Sequence, residues 1–101
     1  MDRLFEWDEM KAVSNYRKHG IAFEMAMRAF DDPFALMRQD RIEGGEVQWQ
    51  TLGVVTGHLL PLVAHTLWEE DEQGRTIEVV RIISARRATR VERHQYEHED
   101  R

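Results

Sequence analysis

Cysteine is absent from this 101-residue chain, which excludes a disulfide framework, a thiolate metal site and thiol nucleophile chemistry. Stability must come from packing. No run of about 18 apolar residues is present to span a membrane, and Met1-Asp2-Arg3-Leu4 lacks the apolar core of a secretion signal. The expected location is therefore cytoplasmic, with no membrane partner. Also missing are a Gly-rich phosphate loop, a G-x-S-x-G elbow and a Walker motif. Positive charge is scarce overall: 14 Lys and Arg against 19 Asp and Glu leave a net charge of -5. That balance argues against wholesale coating of nucleic acid, whose non-specific affinity comes mainly from phosphate neutralisation, and confines any nucleic-acid contact to a local cluster. With 42% hydrophobic residues and no repeat, linker or low-complexity segment, the chain is expected to form a single domain over residues 1–101.

What is present is a concentration of guanidinium groups near one end. Arg81, Arg86, Arg87, Arg90 and Arg93 place five arginines within thirteen residues of an otherwise acidic protein. Arginine suits bidentate binding of phosphate, so the cluster is a local choice that points to an anionic ligand.

Capping and turn signals divide the chain. Asp8 reads as the N-cap of a first helix, with Met10, Val13 and Tyr16 recurring every three residues, Arg17, Lys18 and His19 at its negative end, and Gly20 as its left-handed stop. A second helix is expected from about Phe23 to Phe30, ended by Asp31-Asp32-Pro33. Strands follow: Phe34 to Arg38 weakly, then Val47 to Val55, Leu59 to Thr66 and Thr76 to Ser84. Gly44-Gly45 and Thr56-Gly57 supply turns, and Glu69 to Gly74 reads as a solvated hairpin loop. Pro61 lies inside the third strand and implies a bulge, an edge or a later start. Thr89 with Glu92 makes a capping box for a last helix to about His98. The predicted fold is α+β: two N-terminal helices, an antiparallel sheet of three to four strands and a C-terminal helix, with helices on one face and the other face free.

Alternation in the last strand sets Ile77, Val79, Arg81 and Ile83 on one side, and Glu78, Val80, Ile82 and Ser84 on the other. Arg81 is an odd member of an apolar row. It either serves a site or pairs with a carboxylate such as Glu46 or Asp40. Arg86 and Arg87 stand at the mouth of the last helix, where backbone N–H groups and the dipole also favour phosphate; the alternative is a solvated linker paired with acids. His19 is a candidate proton-transfer group and Lys18 a phosphate ligand, although a histidine before a helix-ending glycine is more often a capping residue. Tyr96 either donates or accepts a hydrogen bond near a bound phosphate or is half-buried core. His65, ending a strand, either faces the basic cluster or is a satisfied histidine at a sheet edge. His94 and His98 share a helix face at a spacing that suits metal, yet no third ligand is evident and a solvated face explains both. No cofactor or metal is called for.

Phe5-Glu6-Trp7-Asp8, Asn15, Lys18-His19-Gly20, Phe23, Phe30-Asp31-Asp32-Pro33, Arg81-Ile82-Ile83-Ser84-Ala85-Arg86 and Tyr96, in this order and spacing, resemble the BrnT toxin family over nearly the whole chain. The resemblance implies a RelE-like ribonuclease toxin neutralised by a BrnA-type antitoxin. It further implies a ribbon-helix-helix DNA-binding part in that partner, a heterotetramer, and autorepression in which this chain reaches operator DNA only through the antitoxin. Such a ribonuclease needs no metal: the 2′-hydroxyl attacks the adjacent phosphate, the 5′-oxygen leaves, and arginines meet the charge developing on the phosphorane. Arg81, Arg86, His19 and Tyr96 are then the catalytic candidates, and Lys18, Arg87, Arg90 and Arg75 the RNA-binding ones. The family often carries an arginine soon after the third strand; here Leu67 and Trp68 follow, so Arg75 replaces it across the hairpin or the contribution is absent. The rival reading is a non-catalytic interaction or corepressor module, a degenerate toxin whose arginines bind an acidic partner segment.

Overall fold

A computed structural model describes residues 2–99 of the chain. Its first element corrects the expected architecture. Arg3, Phe5 and Trp7 alternate with Asp2, Leu4 and Glu6, and Asp2–Trp7 forms a strand, β1, that lies parallel to the last strand with Phe5 opposite Val80 and Trp7 opposite Ile82. The sheet therefore has five strands and is mixed, in the order β1-β5-β4-β3-β2, rather than an antiparallel sheet of three to four strands behind two helices. Nothing local announces β1. A six-residue segment is a strand only because it finds β5, and a parallel partner lies a long crossover away in sequence.

Helix α1 (Glu9–His19) has the expected ends: the Asp8 carboxylate accepts from the backbone N–H groups of Met10 at 2.8 Å and Lys11 at 3.2 Å, and Gly20 closes it at φ 72°. Its apolar repeat is not its buried face. Met10, Val13 and Tyr16 are exposed, whereas Ala12, Asn15 and His19 turn inward. Asn15 is buried, and its amide donates to the carbonyls of Ile21 (3.0 Å) and Ala85 (2.9 Å) while accepting from the Ala85 N–H (3.0 Å). Beyond Trp7, where β1 stops, this one amide replaces a neighbouring strand for β5.

The second helix is shorter than its periodicity implies. Helix α2 covers only Phe23–Ala26 and passes into a 3-10 segment, Met27–Asp31. Phe23, Ala26 and Ala29, all at 0% exposure, recur every third residue. Three residues per turn keep such a row aligned, whereas an α-helix would rotate it away from the sheet. The backbone approach is close: a Cβ built on Gly53 would lie 2.2 Å from the Ala29 carbonyl oxygen.

β2 (Leu36–Glu43) and β3 (Glu46–Leu52) join through Gly44-Gly45, both at positive φ, the geometry of a two-residue hairpin. β4 (Pro61–Glu72) and β5 (Arg75–Arg87) form a long ribbon closed by Gln73-Gly74 alone. The expected loop from Glu69 is thus strand as far as Glu72; acids exposed to solvent carry no apolar alternation to mark it. Pro61 begins β4, where its missing N–H costs nothing.

Two cores follow. Ile21, Phe23, Ala26 and Ala29 pack with Val63, Val80, Ile82 and Ala85 on one face, joined by Phe5 and Trp7. On the opposite face Leu52, Leu60 and Leu62 pack with Leu36 and Tyr96 beneath helix α3 (Arg90–Glu97), whose Thr89–Glu92 capping box is as expected. That face is consequently not free: α3 covers one end of it.

Asn15→Ala leaves the buried Ala85 N–H and two carbonyls unpaired, so the expected loss is about 3 kcal/mol or more in urea unfolding. Gly53→Ala must displace β3 from Ala29 and is expected to lower the unfolding midpoint as well, despite adding only a methyl group. A midpoint unchanged by either substitution would contradict these packing assignments.

Candidate functional site

A single inserted residue brings Arg81 and Arg86 onto one face. Pairing of β4 with β5 runs Leu62 to Arg86, Val63 to Ala85 and Ala64 to Ser84, then slips so that His65 faces Ile82 and Thr66 faces Arg81. Ile83 is the extra residue of a β-bulge, which inverts side-chain parity. Ser84 and Arg86 therefore share a face with Arg81, contrary to uninterrupted alternation, while Val80, Ile82 and Ala85 stay in the helix-side core.

Arg86 is the best-anchored cation there. Its guanidinium makes paired bonds to Glu92, Nη1 to Oε1 at 2.8 Å and Nη2 to Oε2 at 3.0 Å, and Nη1 also donates to the Arg87 carbonyl at 3.2 Å. Of five N–H donors, Nε–H and one on Nη2 have no partner among the described residues. Glu92, 9% exposed, is held by this pair foremost and by the Thr89 N–H, which pull its pKa from 4.5 to about 2. Arg38 on β2 completes the network: it reaches Glu92 at 3.5 Å and donates to Gln50 and Gln95, each at 3.0 Å.

Three depressions adjoin across this face. One, beside α3, is lined by Arg38, Gln50 and Gln95; the next by Gln50, Arg41, Asp40, Ser84 and Arg86; the third, against α1, by Ser84, Lys11, Lys18 and His19. Neighbours share Gln50 and then Ile83 and Ser84, so the three follow one another across the strands and together are called the groove below. Lys18 and His19 thus stand one wall away from Arg86.

The other sequence candidates lie elsewhere. Arg81, roughly 15 Å along β5 from Arg86, donates to Glu6 of β1 at 2.7 Å and lines none of these depressions; neither Glu46 nor Asp40 is its partner. Tyr96 is half-buried, and its hydroxyl donates to Asp32, whose carboxylate also accepts from the N–H groups of Val54 (2.8 Å) and Phe34 (2.9 Å). It ties α3 to the segment leading into β2. Arg87 and Arg90 are exposed, with no side-chain partner among the described residues. Arg75 pairs with Asp2 at the far tip of the ribbon. His65 is neither at an edge nor near the cluster: fully buried, it donates from Nδ1 to the Thr66 carbonyl (3.1 Å), accepts at Nε2 from the Thr51 hydroxyl (2.8 Å) and meets Phe30 edge to face. Burial, against the opposing hydrogen bond to Thr66, lowers its pKa below 6.5. His94 and His98 stack on each other, and no cluster of three metal-ligating side chains forms among the described residues.

Sequence reasoning missed Arg38, Gln50 and Gln95 altogether. Arg38 and Gln50 meet only through β2–β3 register, which no local signal encodes. Glu92 was legible as a cap but not as the partner of Arg86.

A family model described as the ribonuclease toxin BrnT of type II toxin-antitoxin systems matches residues 7–92. The chain belongs to the BrnT family. Asn15, Asp32, Arg86 and Glu92 all fall within the matched residues. Among solved structures, the chain is similar to the crystal structure of the Brucella abortus ribonuclease toxin BrnT, at 19% identity and a TM-score of 0.56 over 89% of this chain and 100% of that one. At that identity the likeness speaks for the fold alone. No curated protein matches the chain.

In this BrnT fold the Glu92 carboxylate and the His65 imidazole both weaken the protein in acid. The unfolded chain protonates His65 below 6.5 while the fold keeps it neutral, so stability falls as pH drops through that value. Glu92 adds a second loss between 4.5 and about 2, where only the unfolded chain takes up the proton. Urea midpoints measured between pH 8 and 3 are expected to decline in these two stages. Glu92→Gln should cost about 3 kcal/mol at neutral pH and remove the lower stage. A native midpoint independent of pH below 6.5 would refute both assignments.

Proposed function

We propose that this chain is a metal-independent endoribonuclease toxin whose site lies in the groove around Arg86, and that a BrnA-type antitoxin neutralises it. Membership of a ribonuclease-toxin family supports the reaction class. The observation that carries the placement is Arg86 itself: a guanidinium fixed by two bonds to Glu92, with two N–H donors remaining and Lys18 and His19 across a shared wall.

In the proposed reaction the 2′-oxygen bonds to phosphorus as its proton passes to a base, and the phosphorus–5′-oxygen bond breaks as that oxygen gains a proton. The products are a 2′,3′-cyclic phosphate and a 5′-hydroxyl. Arg86 stabilises the charge gathering on the non-bridging oxygens, where a preorganised donor acts without reorganisation at the moment of reaction. Lys18 holds a neighbouring phosphate, and His19 is the proton-transfer group. Arg87 and Arg90 extend the electrostatic track for RNA. Arg81 and Tyr96 serve structure through Glu6 and Asp32, and Arg75 lies too far along the ribbon to contribute.

The antitoxin pairs with the toxin as a heterotetramer and contacts operator DNA itself, a division that the net charge of -5 on this chain favours. The proposed location is the cytoplasm; no helix among the described residues is long and apolar enough to cross a membrane. One observation favours the rival, non-catalytic module: His65 is sealed in the core and Tyr96 is engaged by Asp32, so His19 is the one catalytic candidate with a proton to transfer that borders the groove.

Cleavage of a defined RNA in EDTA separates the two readings. The native protein should cut, and Arg86→Ala, shown by circular dichroism to be folded, should lose about 100-fold or more in rate. Arg86→Lys, which keeps a cation beside Glu92, guards against misfolding and should also be impaired because its fork of donors is gone. Equal cleavage by folded variants places the site elsewhere, and absence of cleavage by the native protein favours the interaction module.

A further inference from the structure

The end of the groove beneath α3 has a chemistry of its own. Leu36 and Leu52, paired on β2 and β3, give this depression of about 300 Å³ an apolar floor, and Gln50, Gln95 and Glu99 give it polar sides. Arg38 decides which way the two amides point. It donates from Nε to Gln50 Oε1 and from Nη1 to Gln95 Oε1, both at 3.0 Å. A guanidinium has no acceptor, so each amide oxygen must face it and each NH2 group must face away. Neither NH2 has a hydrogen-bond partner among the described residues, and both residues line the depression. The cavity therefore presents two amide donors, while Glu99 supplies a carboxylate that only accepts.

We infer that this depression is a nucleobase subsite selective for guanine. Guanine carries adjacent acceptors, O6 and N7, that match the two NH2 groups, and adjacent donors, N1–H and the N2 amine, that match a carboxylate. Adenine would turn its N6 amine toward one of the amide donors, and two donors facing each other form no bond. Cytosine and uracil offer no such pairing of two acceptors with two donors. The flat ring rests on the apolar floor of Leu36 and Leu52. Gln50 also lines the depression that contains Arg86, so the base site adjoins the phosphate site within one groove. The inference deepens the ribonuclease reading and rests on it for the presence of RNA, but base preference can be read without cleavage.

The test uses 2′-O-methyl RNA pentamers, which lack an attacking hydroxyl, identical except for a central guanine, adenine, cytosine, uracil or hypoxanthine, with binding followed by fluorescence anisotropy. Guanine should bind about tenfold or more tightly than adenine, cytosine or uracil, the discrimination expected of one bidentate contact. Hypoxanthine, which lacks the N2 amine, should fall between. Glu99→Gln, at a residue with no hydrogen bond to other described side chains, should erase the advantage of guanine over hypoxanthine. Gln95→Leu should narrow the gap between guanine and adenine. Equal affinity for all pentamers, preferences unchanged in both variants, or no binding at all would overturn the subsite. Unmodified RNAs assayed in parallel keep the two readings apart: cleavage without a base preference in binding removes the subsite alone, whereas a guanine preference without cleavage removes the ribonuclease reading and leaves the subsite standing.

Discussion

One side-chain amide joins the parts of this protein that could otherwise drift apart. β1 pairs with β5 only as far as Trp7 and Ile82, and three residues later Asn15 takes over with both a donor and an acceptor for Ala85. Buried backbone groups left unpaired there would be costly, so α1 is held against β5 by the same requirement that makes a sheet cohere. The third bond, to Ile21, ties the turn after Gly20 to the same point. Because Lys18 and His19 sit in the last turn of α1, their position beside Ser84 follows from this contact.

The bulge at Ile83 acts with that constraint. It leaves the helix-side core continuous through Val80, Ile82 and Ala85 while moving Ser84 and Arg86 onto the face where α3 lands. Glu92 then meets Arg86, caps α3 through Thr89 and draws in Arg38. A nearly buried carboxylate with two guanidinium neighbours is stable only as a satisfied network. The same network leaves donors over on Arg86, Gln50 and Gln95, all lining the groove, so the groups that stabilise the fold also define what the groove can recognise.

Local chemistry was largely legible in the chain. Asp8 and Gly20 bound the first helix, Thr89 and Glu92 start the last, and Gly44-Gly45 turns a hairpin, as their residue types require. Longer-range inferences fared less well. The apolar repeat of Met10, Val13 and Tyr16 lies on the exposed side of α1, the acids from Glu69 to Glu72 are strand, and β1 was invisible without its partner. Of the site, Arg86 with Lys18 and His19 are brought to neighbouring depressions, whereas Arg81 and Tyr96 are committed to Glu6 and Asp32.

By itself the sequence determined where elements begin and end and which residue types were available for anion binding, because caps and tight turns are satisfied within about four residues. Which arginine faces the groove, which carboxylate holds it, and which way the two glutamine amides point were decided only by the tertiary structure. Those outcomes depend on strand register, which one inserted residue reverses, and on contacts such as Arg38 with Gln95 and Arg81 with Glu6, made 57 and 75 positions apart in the chain.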